Sequence, residues 1–255
     1  QFTEVADYAL GEDTTMHSVD GSLAFLDIDS TDQHRVSVTP ASGGFRGELT
    51  AIVADDTTGD GTGRIDWHFD VSDSALDSIG EGKIAIQTYT VEISDGHGGF
   101  VSRDVTITLN GANDAPVTVL DLAQATGGST IAINVLANDT DVDNGDLLTI
   151  TTVSAGLLGS ASIVNGQLSY TAGTTSGIEY LSYTIEDQFG GTSTGTAMVV
   201  VAASGLASVF GSSAGESLFG GGADELIFGG LGDDNIDAGG GDDLIVWSVG
   251  DGDDT

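Results

Sequence analysis

The residues of this chain best able to do chemistry are acids held at fixed spacing among glycines. From Gly220 to Val246 three nine-residue units lie in register: GGGADELIF, GGLGDDNID and AGGGDDLIV. Each begins Gly-rich, carries an acid at its sixth place and an aliphatic residue at its eighth. The acids are Glu225, Asp234 and Asp243, and the aliphatics are Ile227, Ile236 and Ile245. A weaker unit, Gly211 to Phe219, puts Glu216 and Leu218 in the same places. Only Gly229 to Asp237 keeps the whole pattern. Ala223 and Ala238 replace glycines, and Glu225 replaces an aspartate. Glycines such as Gly230, Gly232, Gly239 and Gly241 permit positive φ and leave carbonyls free. Carbonyl and carboxylate oxygens are hard ligands of the kind Ca²⁺ takes. The aliphatic is expected on a very short strand pointing into a narrow core, with two units to a coil. A turn then lies beside the turn two units on. Asp234 should share an ion with the Glu216 loop, and Asp243 with the Glu225 loop. A single unit would read as a flexible Gly/Asp linker. Several in register, with an aliphatic every nine residues, argue for a solenoid.

Other candidates for chemistry are weaker. Asp55, Asp56 and Asp60, in ADDTTGDGTG, form an acidic hairpin tip that lacks the spacing and closing Glu of an EF-hand. It reads as a solvated turn. His17, His34, His68 and His97 have no partner at metal or triad spacing and read as surface residues, His68 facing outward beside Trp67. Trp67 reads as core, and Trp247 as a cap on the last roll strand. GxSxG, HExxH and cysteine nucleophiles are missing, so the chain reads as non-catalytic.

The elements that must carry these acids are strands. The runs are Leu23–Leu26, Arg35–Val38, Glu48–Val53, Arg64–Val71, Ile84–Ile93 and Val101–Leu109, with Gly/Asp punctuation between them. Such a series predicts a β-sandwich over residues 1–115, with one helical turn at Ser74–Ile79. Residues 116–203 repeat the theme. YTVEISDGHGG from Tyr89 aligns with LSYTIEDQFGG from Leu181, and DIDSTDQHRV from Asp27 with DVDNGDLLTI from Asp141. The second match pairs Asp27, Asp29 and Asp32 with Asp141, Asp143 and Asp146. The two offsets differ, so the first copy carries an insertion. The boundary is Asn110 to Pro116, whose proline directs Ala115 to extended backbone. Residues 204–255 form the roll.

Forty acids against five bases give a formal charge of −35. A phosphate backbone would be repelled, so nucleic acid is not an expected partner. The chain repels itself unless counter-ions bind. Hydrophobic residues still make up 39%, enough for several small cores. Cysteine is absent, and metal can take the place of disulfides as a staple. No apolar run is long enough to span a membrane, and no signal peptide opens the chain. The sequence reads as an excerpt of a longer protein.

Residues 1–116 resemble a VCBS repeat domain of large bacterial surface adhesins. The resemblance rests on Gly63 to Val71, Gly80-Glu81-Gly82, Tyr89-Thr90-Val91 with Asp95-Gly96 and Gly98-Gly99, and Asn110 to Pro116. Residues 117–203 resemble a bacterial cadherin-like Ig domain, through Val135 to Asp141 and Tyr183 to Gly191. Residues 208–255 resemble an RTX block, the calcium-binding nonapeptide GGxGxDxUx. Together these imply an all-β chain of two tandem Ig/cadherin-like sandwiches followed by a partial parallel β-roll. They imply type I secretion, display at the bacterial surface or in the extracellular matrix, and a part in adhesion or biofilm. They also imply two further sites. Glu12, Asp27, Asp29 and Asp95 would meet at one pole of the first sandwich, as a calcium site or as solvated acids capping turns. Asn113, Asp114, Asp141, Asp143 and Asp187 would meet at the joint, as a stiffening calcium site or a plain hinge. Asp139 is an alternative for either member of the DxD pair. Partners are then several calcium ions, other copies of the chain, and cell-surface or matrix components. The competing readings are the accessory region of a secreted RTX enzyme and a self-assembling surface-layer or filament subunit.

Overall fold

Period-two alternation decides which segments of this computed structural model become strands. All residues are described except Tyr8, Ser30, 248–251 and Thr255. The chain divides into two units: residues 1–115 with 141–146, and residues 116–140 with 147–255.

The first unit holds β1 (Phe2–Thr3), β2 (Met16–Leu26), β3 (Arg35–Pro40), β4 (Glu48–Asp55), β5 (Thr62–Ser72), β6 (Ile84–Ser94) and β7 (Phe100–Asn110). Five of the expected runs are found to within two residues at either end. The run at Leu23–Leu26 is the end of the much longer β2. Its core-facing residues Val19, Leu23 and Phe25 are spread among Ser, Asp and Gly, which hid the strand. One sheet has the order β1-β7-β6-β3 and the other β2-β5-β4. Phe69, Val71, Leu109 and Val91 fill the space between them, with Trp67 packed against the same core. Gly21 makes room for that tryptophan, since a Cβ there would meet the indole ring at 2.1 Å. The expected helical turn is a short 3-10 turn at Asp73–Ala75.

The second unit opens with β8 (Asp121–Thr126), β9 (Thr130–Ile133), β10 (Thr149–Val153), β11 (Gly159–Val164), β12 (Gln167–Ala172), β13 (Gly177–Glu186) and β14 (Thr192–Ala202). Its sheets, β10-β13-β14-β8 and β11-β12-β9, repeat the orders of the first unit strand for strand. The duplicated motifs adopt the same turns. Asp29 N–H donates to Asp27 Oδ1 at 2.9 Å, and Asp143 N–H to Asp141 Oδ1 at 2.9 Å. Asp95 accepts the His97 and Gly99 N–H groups, as Asp187 accepts those of Phe189 and Gly191. Part of the insertion is the segment 73–83 between β5 and β6, where the second copy needs only 173–176 between β12 and β13.

The roll follows as β15 (Ala207–Phe210), β16 (Ser217–Phe219), β17 (Glu225–Phe228), β18 (Asn235–Asp237) and β19 (Leu244–Val246). All its pairs are parallel, in the sheets β15-β17-β19 and β16-β18. Leu226 faces Leu244, and Leu218 faces Ile236, each eighteen residues on. Two nonapeptides therefore make one coil. Alternation on β14 sends Ala197, Val199 and Val201 into the sandwich core. Its other face, Met198, Val200 and Ala202, packs against Leu226, Phe228 and Val246 of the roll. The fold is all-β: tandem Ig-like sandwiches, the second carrying a parallel roll on its outer sheet face.

Candidate metal centres

The 3-10 turn and the residues after it bring the first cluster together at the pole of the first unit where β2 begins. Asp73 is its fully satisfied member. Its carboxylate accepts the Val5 N–H at 2.9 Å and the Asp13 N–H at 3.3 Å, and lies 2.6 Å from His17 Nε2. His17 is thus a buried-carboxylate partner rather than a free surface residue. Around this anchor, carboxylate oxygens of Glu4, Asp77 and Asp114 all lie within 4.8 Å of one another. The same holds for Asp7, Glu12 and Asp114, and for Glu12, Asp13 and Asp77. Asp114 is shared by the first two of these groups and Glu12 by the last two, so the three overlap.

The loop 141–146 belongs to this unit and closes the site. Asp143 Oδ2 accepts the Asp114 N–H at 2.9 Å, and Gly80 leaves room for the Asp143 carboxylate. Glu4 Oε2 accepts the Ala112 N–H at 2.7 Å, and Asp7 Oδ2 the Ala115 N–H at 2.8 Å. With these acids ionised, no hydrogen-bond donor reaches the buried atoms Glu4 Oε1, Glu12 Oε2, Asp77 Oδ1 and Asp114 Oδ2. Burial pushes the Glu4 carboxyl up to about 8, against the lowering effect of the Ala112 N–H, and Asp114 adds its charge. Burial and the Asp143 charge push Asp114 up to about 7. Glu12 and Asp77 are raised by burial first and by neighbouring acids second. Buried carboxylate oxygens that face each other without donors fit a hard, multiply charged cation with six to eight oxygen ligands.

These observations correct the expected first set. β2 runs eleven residues, roughly 35 Å of extended chain, with Glu12 before it and Asp27 after it. Glu12 therefore sits at the pole of Asp77 and Asp114, away from Asp27, Asp29 and Asp95. At the other pole the clustered acids are Asp27, Asp32 and Asp95, and Asp29 is exposed. That cluster is met by imidazoles. His34, its side chain 4% exposed, lies 3.1 Å from Asp27 through Nε2 and 2.6 Å from Asp56 through Nδ1. Burial acts to lower His34, but the Asp56 and Asp27 bonds outweigh it and leave it raised. Two carboxylates on one ring are both satisfied by the imidazolium form. His34 is thus not a surface residue, and Asp56 is not simply solvated. His97 Nδ1 is 3.2 Å from Asp32. His68 is on the outer face as expected, between Asp20 and Asp70.

Of the expected joint set, Asn113, Asp114, Asp141 and Asp143 come together in the first unit. Asp187 lies in the second unit, its Oδ1 accepting the Phe189, Gly190 and Gly191 N–H groups. Asp139 is taken up elsewhere, bonded to the Val119 N–H and to Tyr183 Oη. Glu4, Asp7 and Asp77 escaped the sequence reading. Asp77 lies in the insertion, so alignment of the two copies has nothing to set against it.

In the roll Asp234 and Asp243 each accept an N–H from the coil before them. The Glu216 N–H donates to Asp234 Oδ1 at 2.7 Å and the Glu225 N–H to Asp243 Oδ1 at 2.9 Å. Asp234 is 2% exposed, and its Oδ2 has no hydrogen-bond partner. Ser212 holds the Glu216 carboxylate below its usual range, and the Gly221 N–H reaches Glu225 Oε2 at 3.0 Å. Gly230, Gly232, Gly239 and Gly241 all have positive φ. A Cβ on Gly230 would strike the Ser212 carbonyl oxygen at 1.9 Å, and one on Gly239 that of Gly221 at 2.2 Å. The loops thus stack carbonyls and acids at one coil spacing, a donor set of hard oxygens.

Residues 113–200 match the family model described as a bacterial Ig domain. No curated protein matches the chain. Among solved structures, the chain is similar to the mouse clustered protocadherin PcdhgC3 EC1-3, at 16% identity and TM-score 0.37, over 78% of this chain and 64% of that one. Protocadherin Gamma B7 extracellular cadherin domains 1-4 match at 12% identity and TM-score 0.37, over 78% of this chain and 48% of that one. A nucleoside hydrolase-related hypothetical protein from Saccharophagus degradans, associated with carbohydrate metabolism, matches at 22% identity and TM-score 0.28, over 35% and 26%. The chain spans about a quarter to about two thirds of the length of these solved chains. Among the described residues no helix is long and apolar enough to cross a membrane. At residues 113–200, then, the chain is similar to a bacterial Ig domain.

Proposed function

We propose that this chain is a calcium-stabilised, non-catalytic segment of a large secreted bacterial surface adhesin, serving as a spacer or interaction module in adhesion or biofilm. The observation that carries the reading is the overlapping carboxylate groups of Glu4, Asp7, Glu12, Asp13, Asp77 and Asp114, in which four buried oxygens have no hydrogen-bond donor when the acids are ionised. A group of acids this close is unfavourable with only protons to relieve it and favourable around Ca²⁺. Glu4, Asp7, Glu12, Asp77, Asn113, Asp114, Asp141 and Asp143 would hold the ions at this pole of the first unit. Glu216, Glu225, Asp234, Asp243 and the carbonyls around Gly230, Gly232, Gly239 and Gly241 would hold them in the roll. A site filled at about 100 times its Kd adds about 2.7 kcal/mol to stability. Such sites then do the work that disulfides do elsewhere. Where calcium is scarce the acids repel one another and the segment is loosened; where it is abundant the segment stiffens.

The test uses Asp114→Asn, read by calorimetric calcium titration and by thermal unfolding in calcium and in EGTA. The substitution removes one negative charge from a cluster of like charges. It should weaken calcium binding by about tenfold or more, equivalent to about 1.4 kcal/mol, and lower the melting temperature in calcium. In EGTA it should raise that temperature. Loss of stability in both conditions, with calcium affinity unchanged, would make Asp114 a structural acid and remove the reading.

A further inference from the structure

The nonapeptides of the roll are not equivalent around their core aliphatics. On β17 and β19 the inward Ile227 and Ile245 are flanked by Leu226 and Phe228, and by Leu244 and Val246. On β18, Ile236 is flanked by Asn235 and Asp237. Phe228 and Phe219 hold the same place in successive units. Phe228 is 4% exposed and Phe219 68%. The difference is what lies outside each sheet: Phe228 meets Met198 and its neighbours on β14, and Phe219 meets solvent.

β14 is written for this contact. Its run Ala197–Ala202 is buried on both faces, as a strand covered on either side must be. Without the roll, Met198, Val200 and Ala202 would be an apolar patch on an otherwise acidic protein. The roll for its part has a core of one aliphatic per half-coil. A solenoid gains its stability from neighbouring repeats and needs a cap to begin.

From these facts we infer that the outer face of the sheet β10-β13-β14-β8 is a docking template for the roll. β15 and β17 fold onto it with no cation bound, and only what lies beyond that seam waits for the ion. The partner this surface fits is a parallel coil that turns large apolar residues beside its core aliphatics, here Phe210, Leu226, Phe228 and Val246, toward the sheet. The seam supplies by apolar burial, at the start of the roll, what the ions supply further on. Folding of the roll then runs outward from the sandwich. The part of the inference that concerns ions rests on the loops being calcium sites; the template itself does not.

Hydrogen exchange of the full chain, in EGTA and in calcium, decides it. In EGTA the β17 amides of the wild type should be protected to the level of β14, while those of β18, which lies off the seam, exchange faster. Phe228→Asp should abolish the β17 protection in EGTA and leave that of β13 intact. The same substitution should raise the calcium needed to protect the roll by about tenfold or more, since a charge now faces an apolar seam. Phe219→Asp, at the equivalent place on the solvent side, should do neither. Free exchange of β17 in wild-type protein in EGTA, with β14 protected, overturns the template. So does an equal effect of the two phenylalanine substitutions. If calcium leaves wild-type exchange in the roll unchanged, the calcium reading of the roll fails, and the EGTA comparison still decides the template.

Discussion

Two buried carboxylates in the second sandwich share one tyrosine. Tyr183 Oη donates to Asp121 at 2.8 Å and lies 3.2 Å from Asp139. Burial, and the Asp139 charge, push the Asp121 carboxyl from 3.8 to about 6, against the Tyr183 bond, which lowers it. The folded chain thus keeps a proton here that the unfolded chain has already released. Stability of this sandwich should fall as pH rises from about 4 to about 6 through that one group. Asp121→Asn keeps an acceptor for the hydroxyl and removes the titration. Urea unfolding followed at β13 amides should then lose its slope over that range; a slope that survives the substitution belongs to another group. The pair also shows what single residues hide. The sequence marks Asp139 as a candidate for the joint, because it precedes Asp141 by two. Only the fold shows that its side chain turns inward to Tyr183. Glu12 is the reverse case: the sequence places it at the wrong pole, because the length of β2 is not legible from four apolar residues at one end.

At the scale of elements the roll is the part most open to reading. Its period is nine, its coil is two periods, and both follow from local chemistry that tertiary packing leaves alone. Its loops therefore answer to a local test. Gly230 has φ of 105° and faces the Ser212 carbonyl, whereas Gly222 has nothing within 4 Å of where a Cβ would stand. Gly230→Ala should lower the stability of the roll by about 1–3 kcal/mol or prevent its coils from stacking, while Gly222→Ala should be within about 0.5 kcal/mol of wild type. Circular dichroism and calcium titration of both proteins would check this, and equal behaviour would mean that the loops are not held in the stacked form. The sandwiches were legible as strands and as copies. Their site was less so, because acids at the pole come from the turn after β5 and the segment before β2. Neither has periodicity, and the first lies in an insertion.

At the scale of the whole molecule charge sets the terms. A formal charge of −35 is opposed at some places by imidazoles and at others by apolar seams. Elsewhere the acids remain unrelieved. In EGTA, raising monovalent salt from about 20 mM to about 500 mM should raise the melting temperature by several degrees, because screening shortens the reach of repulsion to a few ångströms. With calcium bound the same change should have a smaller effect. An equal salt response in both conditions would mean that the acids titrated by calcium are not the ones that repel. The eighteen-residue coil carries one more consequence, for how such a chain can grow or shrink. Seam residues recur only in alternate nonapeptides, so the roll has a parity. Gain or loss of a pair of units shifts every later strand by one coil and keeps its face. Gain or loss of a single unit inside the seam turns the apolar flanks to solvent and the Asn/Asp flanks toward the sandwich. Viable length variants should therefore come in even steps.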